Sequence, residues 1–275
     1  MRIRMRGTRC EERPVPADRA HGPRIVRSAF GAFAAFSALA AFSAPASAQD
    51  VRHPMPAHEM EWGRATFLLS EVLELAPDAA SRPISYDLLG WTGGPVHRVW
   101  FKAEGVAATR GQGAEGAYQI LYGRQVSPFW DLQLGARADL HTFAGRTESR
   151  VGVALGVQGL APGWFELEPE LFVSSAGLVI FQVTGSHDLY VTQRLVLQPR
   201  ADVRLAASDD AALGQGSGLS HGALALRLRY ELRREFAPYV GVLWERRFGR
   251  TADFARTAGG DAGETQLVLG LRLWH

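Results

Sequence analysis

The amino-acid sequence predicts an all-β fold: a transmembrane, antiparallel, up-and-down β-barrel of about twelve strands, preceded by a signal peptide and a short flexible tail. Three observations predict it. From Thr66 onward the dominant hydrophobic period is two, and helical stripes are nearly absent. The alternating segments run to about 10 residues, the length of a tilted strand through a hydrocarbon core, whereas soluble strands are typically about 5–6. Short and long connections alternate, as turns and outer loops do in bacterial outer-membrane barrels.

Residues 1–48 read as a signal peptide. Arg24 and Arg27 supply a positive start, an apolar run follows from Ala29 to Phe42, and Ala46-Ser47-Ala48 is a small-x-small cleavage site before Gln49. That apolar run is short for a membrane span and rich in Ala and Ser. The leader carries eight arginines against Glu11, Glu12 and Asp18, a charge of +5; the whole chain carries +2, so the rest is mildly acidic at −3. A nucleic-acid partner therefore has no support from charge. Cys10, the only cysteine, lies in the leader, so residues 49–275 hold no thiolate nucleophile, thiolate metal site or disulfide. Residues 49–65 form a polar segment without periodicity, read as a flexible periplasmic tail, and residues 66–275 form the barrel.

The expected strands are 66–75, 84–92, 96–105, 114–125, 129–139, 149–159, 163–173, 178–189, 194–206, 219–232, 236–247 and 264–274. The clearest alternation sets Leu267, Leu269, Leu271 and Leu273 against Gln266, Val268, Gly270 and Arg272. Leu224, Leu226, Leu228 and Tyr230 oppose Arg227, Arg229 and Glu231 in the same way. Tight joints at Gly93-Gly94-Pro95, Ser127-Pro128, Ala161-Pro162-Gly163, Thr192-Gln193 and Glu235 alternate with longer polar ones, notably 208–218 and 249–263. An even strand count puts both chain ends on the short-turn, periplasmic side.

Aromatic residues gather near that side. Trp91, Tyr122, Phe129, Trp130, Trp164, Phe165, Tyr190, Phe236, Tyr239 and Trp274 are expected to form an interfacial girdle. Pro169 and Pro199 oppose the pattern, because proline donates nothing to a ladder and a closed barrel has no free edge; each is expected at a bulge.

Two places carry chemistry. Charges facing lipid are costly, so Lys102, Glu104, Asp131, Arg137, Asp139, Glu166, Glu168, Glu170, Arg200, Asp202, Arg204, Arg227, Arg229, Glu231, Glu245 and Arg272 should face the lumen. There they either pair into a polar plug or line a solute path. Arg227, Arg229 and Glu231 are expected to pair with carboxylates such as Glu166, Glu168 and Asp202. The second place is the tail, His53-Pro54-Met55-Pro56-Ala57-His58-Glu59-Met60, which holds both methionines of residues 49–275. Thioether sulfur suits Cu(I), and imidazole suits copper in either state, so His53, Met55, His58 and Met60 are candidate copper ligands. Enzyme chemistry has no support: Ser186-His187 and Ser220-His221 are neighbours on strands and point to opposite faces, and neither a phosphate loop nor a metalloprotease helix motif occurs.

The stretches SPFWDLQLGAR, QGLAPGWFELEPE, LYVTQRLVLQPR, GQGSGLSHGALALRLRYELRREFAPYVGVLWERRFGRTADFAR and LVLGLRLW resemble the copper resistance protein B family across roughly residues 66–275. The resemblance implies an outer-membrane barrel that binds copper or supports its sequestration or export, with a periplasmic multicopper oxidase as partner. Where family members often carry a long Met/His/Asp-rich segment, this chain has only HPMPAHEM, and it ends in His275 rather than Phe or Trp. A monomer embedded in outer-membrane lipid is expected. The alternatives are a structural or solute-pore barrel without metal specificity, and a membrane-embedded hydrolase.

Overall fold

A computed structural model describes residues 63–109, 113–143 and 146–275; the leader and the His/Met tail lie outside these. The strands are β1 Ala65–Leu75, β2 Pro83–Gly93, β3 His97–Ala108, β4 Ala114–Ser127, β5 Trp130–Phe143, β6 Arg146–Ala161 and β7 Phe165–Ser174. There follow β8 Val179–Ser186, β9 Leu189–Tyr190, β10 Leu195–Ala206, β11 Gly218–Tyr230, β12 Phe236–Arg247, the helix α1 Gly249–Thr257, and β13 Gly263–Trp274. Apart from β8 and β9, each strand pairs antiparallel with its neighbours in sequence, β1 pairs with β13, and the sheet closes into a ring. Strands β8 and β9 both pair with β10, so they form one stave interrupted at His187-Asp188, and the barrel has twelve staves as expected.

The first and last strands meet. Leu68 N–H donates to His275 O at 2.9 Å and His275 N–H donates back at 2.8 Å, so the terminal histidine extends the β1–β13 ladder. The turns 94–96, 128–129, 162–164, 191–194 and 231–235 share this end, hereafter the short-turn end. At the turn after β6, Trp164 donates its N–H to Ala161 O at 3.1 Å, with Gly163 and Trp164 both at positive φ (85° and 65°). Gly163 takes that conformation freely; Trp164 does not, and its ring stands out 72% exposed.

Alternation puts apolar side chains outside. Leu224, Leu226, Leu267 and Leu269 are each about half exposed, and Leu134, Val151, Val153 and Leu155 continue the surface. A water-soluble protein does not present so wide a continuous apolar belt; hydrocarbon solvates it.

Three expectations need correction. Neither Pro169 nor Pro199 sits at a bulge. Pro199 stays in register with Leu226 on β11, and its carbonyl, accepting from His187 N–H at 3.2 Å, faces the β8–β9 break. Its missing donor therefore points where the ladder is already open. Pro169 pairs in register with Val183, while the β6–β7 ladder skips from Gly156–Glu170 to Gly159–Leu167 on its other side. Residues 249–257, expected as loop, form α1, a nine-residue helix with no side-chain cap and no acid in its first turn. Its sequence gives weak helical cues; contacts of Thr251 and Ala252, both buried, hold it against the barrel.

Candidate functional site

The inward-facing side chains among the described residues fall into three layers. At the short-turn end the layer is aromatic. Phe67 stacks on Trp91 with centroids 6.1 Å apart, and Trp274 and Trp100 follow at 6.4 Å from Phe67 and 6.2 Å from Trp91. Trp100, Leu89, Leu121 and Ala154 are buried beneath them. The Nε1 edge of the Trp100 indole lies against Gly123, where any Cβ would collide with it. Arg98 sits 4.8 Å over the Trp91 ring and pairs with Asp131 at 2.7 Å. The expected girdle thus divides. Tyr122, Phe129, Trp164, Phe165, Tyr190 and Phe236 are exposed on the outside, but Trp91 and Trp274 share the inward register of Leu89 and Arg272, and buried Tyr239 donates its hydroxyl to Glu74 at 3.1 Å. Each sits an even number of residues from an inward neighbour, and period decides facing more firmly than residue type.

The middle layer is ionic. Arg137, 2% exposed, meets Asp139 at 2.7 Å, Glu170 at 2.5 Å and Glu104 at 3.9 Å, and lies 5.0 Å over the Phe172 ring. Arg200 meets Asp87 at 2.9 Å, Asp202 at 3.3 Å and Glu71 at 3.7 Å. Lys102 reaches Glu168 at 3.1 Å, and Gln119 donates to Glu170 at 3.1 Å. These residues enclose a cavity of about 40 Å³, space for roughly two or three waters. Inward charge was expected and is found, but the partners of β11 differ. Arg227 is clamped by Glu74 through Nε at 3.2 Å and Nη2 at 3.1 Å. Arg229 takes Asp188 at 2.7 Å, with Glu231 at 3.7 Å. Glu168 belongs to Lys102, Asp202 to Arg200, and Glu166 accepts from Ser186 at 3.3 Å.

Glu71, Glu74, Asp87 and Asp188 therefore escaped the sequence reading. A register shift between Ser70 and Val72 breaks the period around Glu71, Asp87 interrupts an apolar run, and Asp188 occupies the β8–β9 break. Carboxylates off the alternation were the available signal.

At the opposite end, loops fold over the opening. Leu213 packs on Phe172, Leu178, Ile180 and Ala206, and Ala76 and Ala79 pack on Val268 and Leu243. Arg150 on β6 grips Asp210, from the β10–β11 loop, through Nε at 2.7 Å and Nη2 at 3.1 Å. Burial alone would raise the Asp210 carboxyl; Arg150 and the N–H groups of Leu213 and Ala212 outweigh it and hold the carboxyl below its usual range. Asp209 is also held low, first by the Ser217 N–H and then by Arg250 on α1. Gly216 N–H donates to Thr251 Oγ1 at 2.8 Å, which joins this loop to α1.

No group of three His, Cys, Asp or Glu side chains converges to hold a metal ion among the described residues. His141 lies 3.8 Å from Glu115 in the loop-end mouth, a pair rather than a site. The candidate copper ligands His53, Met55, His58 and Met60 lie outside the described residues.

Comparison with known proteins follows this geometry. Residues 64–275 match the family model described as copper resistance protein B precursor (CopB). Copper resistance protein B of Escherichia coli is 38% identical over 207 residues, which cover 75% of this chain and 68% of that protein. A copper resistance protein B homolog of Pseudomonas syringae pv. tomato (strain ATCC BAA-871 / DC3000) is 38% identical over 209 residues, 76% of this chain and 69% of that protein. Among solved structures, a NanC porin in a rhombohedral crystal form aligns at a TM-score of 0.45 and 11% identity, covering 76% of this chain and 99% of the porin chain. The family match spans every strand of the barrel, and the chain belongs to the copper resistance protein B family.

Proposed function

We propose that this protein is an outer-membrane copper resistance barrel: exported with cleavage after Ala48, inserted through its apolar belt, and carrying a periplasmic tail that captures copper. Family membership carries the reading, since the relatives are named for copper resistance. The tail joins the barrel at Ala65, at the short-turn end, so His53, Met55, His58 and Met60 would be presented on the periplasmic side. Two thioethers among four ligands favour Cu(I). Fixing four ligands spread over eight residues around one ion costs affinity, so capture would be transient rather than tight. By resemblance to its family, the protein would hand copper to or receive it from a periplasmic multicopper oxidase. Its role is binding and sequestration, without a catalytic step.

The aromatic layer and the ion-pair layer support an anchor over an open pore, because among the described residues they place bulky rings and paired charges across the lumen. Two measurements test the proposal. Fractionation should place the mature protein, beginning at Gln49, in the outer membrane. Met55→Leu/Met60→Leu removes both sulfurs at similar volume; Cu(I) binding by the exported protein should drop sharply and Cu(II) binding should fall less. Undiminished Cu(I) binding would make the tail a linker and move any copper site into the barrel. Absence of copper binding altogether would leave a structural barrel without metal specificity.

A further inference from the structure

The outer surface carries one feature that the copper reading does not use. Arg246 is the penultimate residue of β12, at the loop end, and it faces outward two residues from Trp244. Its register partners on both sides are glycines, Gly222 on β11 and Gly263 on β13, so it stands in a notch where the neighbouring strands supply no side chains. One rung lower, Trp244 is flanked by Leu224 and Thr265, and Val242 and Val240 continue the same outward face into the belt. Ala262, Gly263 and Thr265 complete a surface cleft of about 310 Å³ around Trp244 and Arg246.

The arginine has no anionic partner of its own. Among the described residues no carboxylate lies within 4.0 Å of its guanidinium; it rests 5.8 Å over the Phe248 ring, and that ring packs on Gly222. Glu264 borders the cleft but alternates to the lumen side, opposite Glu245. A cation at the rim of an apolar belt, above a tryptophan, matches the charge and polarity profile of a phosphorylated lipid: phosphate at the guanidinium, sugar or glycerol along the indole, acyl chains down the leucine face.

We propose that the Arg246–Trp244 cleft binds a phosphate-bearing lipid of the leaflet around the loop end, in the manner of the diphosphorylated glycolipid of an outer leaflet. The proposal rests on the apolar belt being solvated by lipid, but not on copper. The test uses the purified, folded full-length barrel in detergent, with diphosphoryl lipid A, its dephosphorylated form and inorganic phosphate as probes, read by native mass spectrometry. The diphosphoryl lipid should be retained at about one copy and the dephosphorylated form held at least about tenfold more weakly, the scale of one charged hydrogen bond. Arg246→Gln should lose a similar factor, whereas Arg124→Gln, on the outside at the short-turn end, should change nothing. Equal retention by Arg246→Gln overturns the proposal, as does displacement by inorganic phosphate at equal concentration, which would mark a simple anion site. Retained heat-modifiable migration on gels shows that each variant is still a barrel. Fractionation in cells, a separate readout, tests location, so the two readings fail independently.

Discussion

The two faces of β11 share one backbone and meet two solvents. Leu224, Leu226 and Leu228 are exposed on the outside, while Ala223, Ala225, Arg227 and Arg229, between and beside them, are buried in the lumen. The buried face is the charged one, the reverse of a soluble domain. Polarity inside is tolerated because Arg227 and Arg229 each have a carboxylate within hydrogen-bond range, Glu74 and Asp188, and apolarity outside because hydrocarbon replaces water. The contrast teaches that burial here reports distance from solvent of either kind, and that along β11 pairing, rather than apolar packing, accompanies burial.

The largest expected effect comes from unpairing that interior. Arg137→Leu leaves Asp139, Glu170 and Glu104 without their shared cation, and should cost about 3–5 kcal/mol in a reversible folding assay into detergent or vesicles. Adding Glu170→Gln should recover part of it; a variant as stable as the parent would mean that water, not arginine, solvates these acids. Charging the outer face comes next. Leu226→Arg, midway along β11, should cost about 2–4 kcal/mol, and Leu228→Arg, nearer the short-turn end at Tyr230, distinctly less. A flat profile with depth would contradict a membrane centred on the strand.

The smallest effect lies in the loop that crosses the mouth. Asp210→Asn should cost about 1 kcal/mol, the scale of a partly covered ion pair at a loop. The Asp210 carboxyl is held low, so its pairing with Arg150 contributes above the ordinary carboxylate range near about 3.9 and is lost as pH falls below it. Protection factors for hydrogen exchange at Leu213 and Gln215, taken against the intrinsic rate at each pH, should therefore be unchanged from pH 8 to pH 5 and fall only in stronger acid.

Most of the barrel was legible because period two is a local signal: every charge expected to face inward that enters an ion pair does so with an inward neighbour. Ion-pair partners were not legible, since Arg227 and Glu74 are 153 residues apart and only barrel closure through β13 and β1 brings them together. Tyr239 shows the limit of residue type: aromatic and near the turn end, it suited an outer girdle, but its place opposite Arg229 turns it inward, onto Gly270. Helix α1 was missed because its sequence alone supplies no cap, and loop contacts supply the missing stabilisation. The copper ligands remain a sequence inference, as they precede the described residues.

Cysteine scanning of β11 tests the two-solvent account most directly. Cys10 is the one cysteine of the sequence, so in a Cys10→Ser background each substitution from Ala223 to Arg229 gives a single thiol. In the folded, membrane-inserted protein, a fluorophore at 224, 226 and 228 should be quenched by nitroxide-labelled lipid, deepest for 224 and 226, while labels at 223 and 225 should not. The reverse alternation, or equal quenching along the strand, would contradict it.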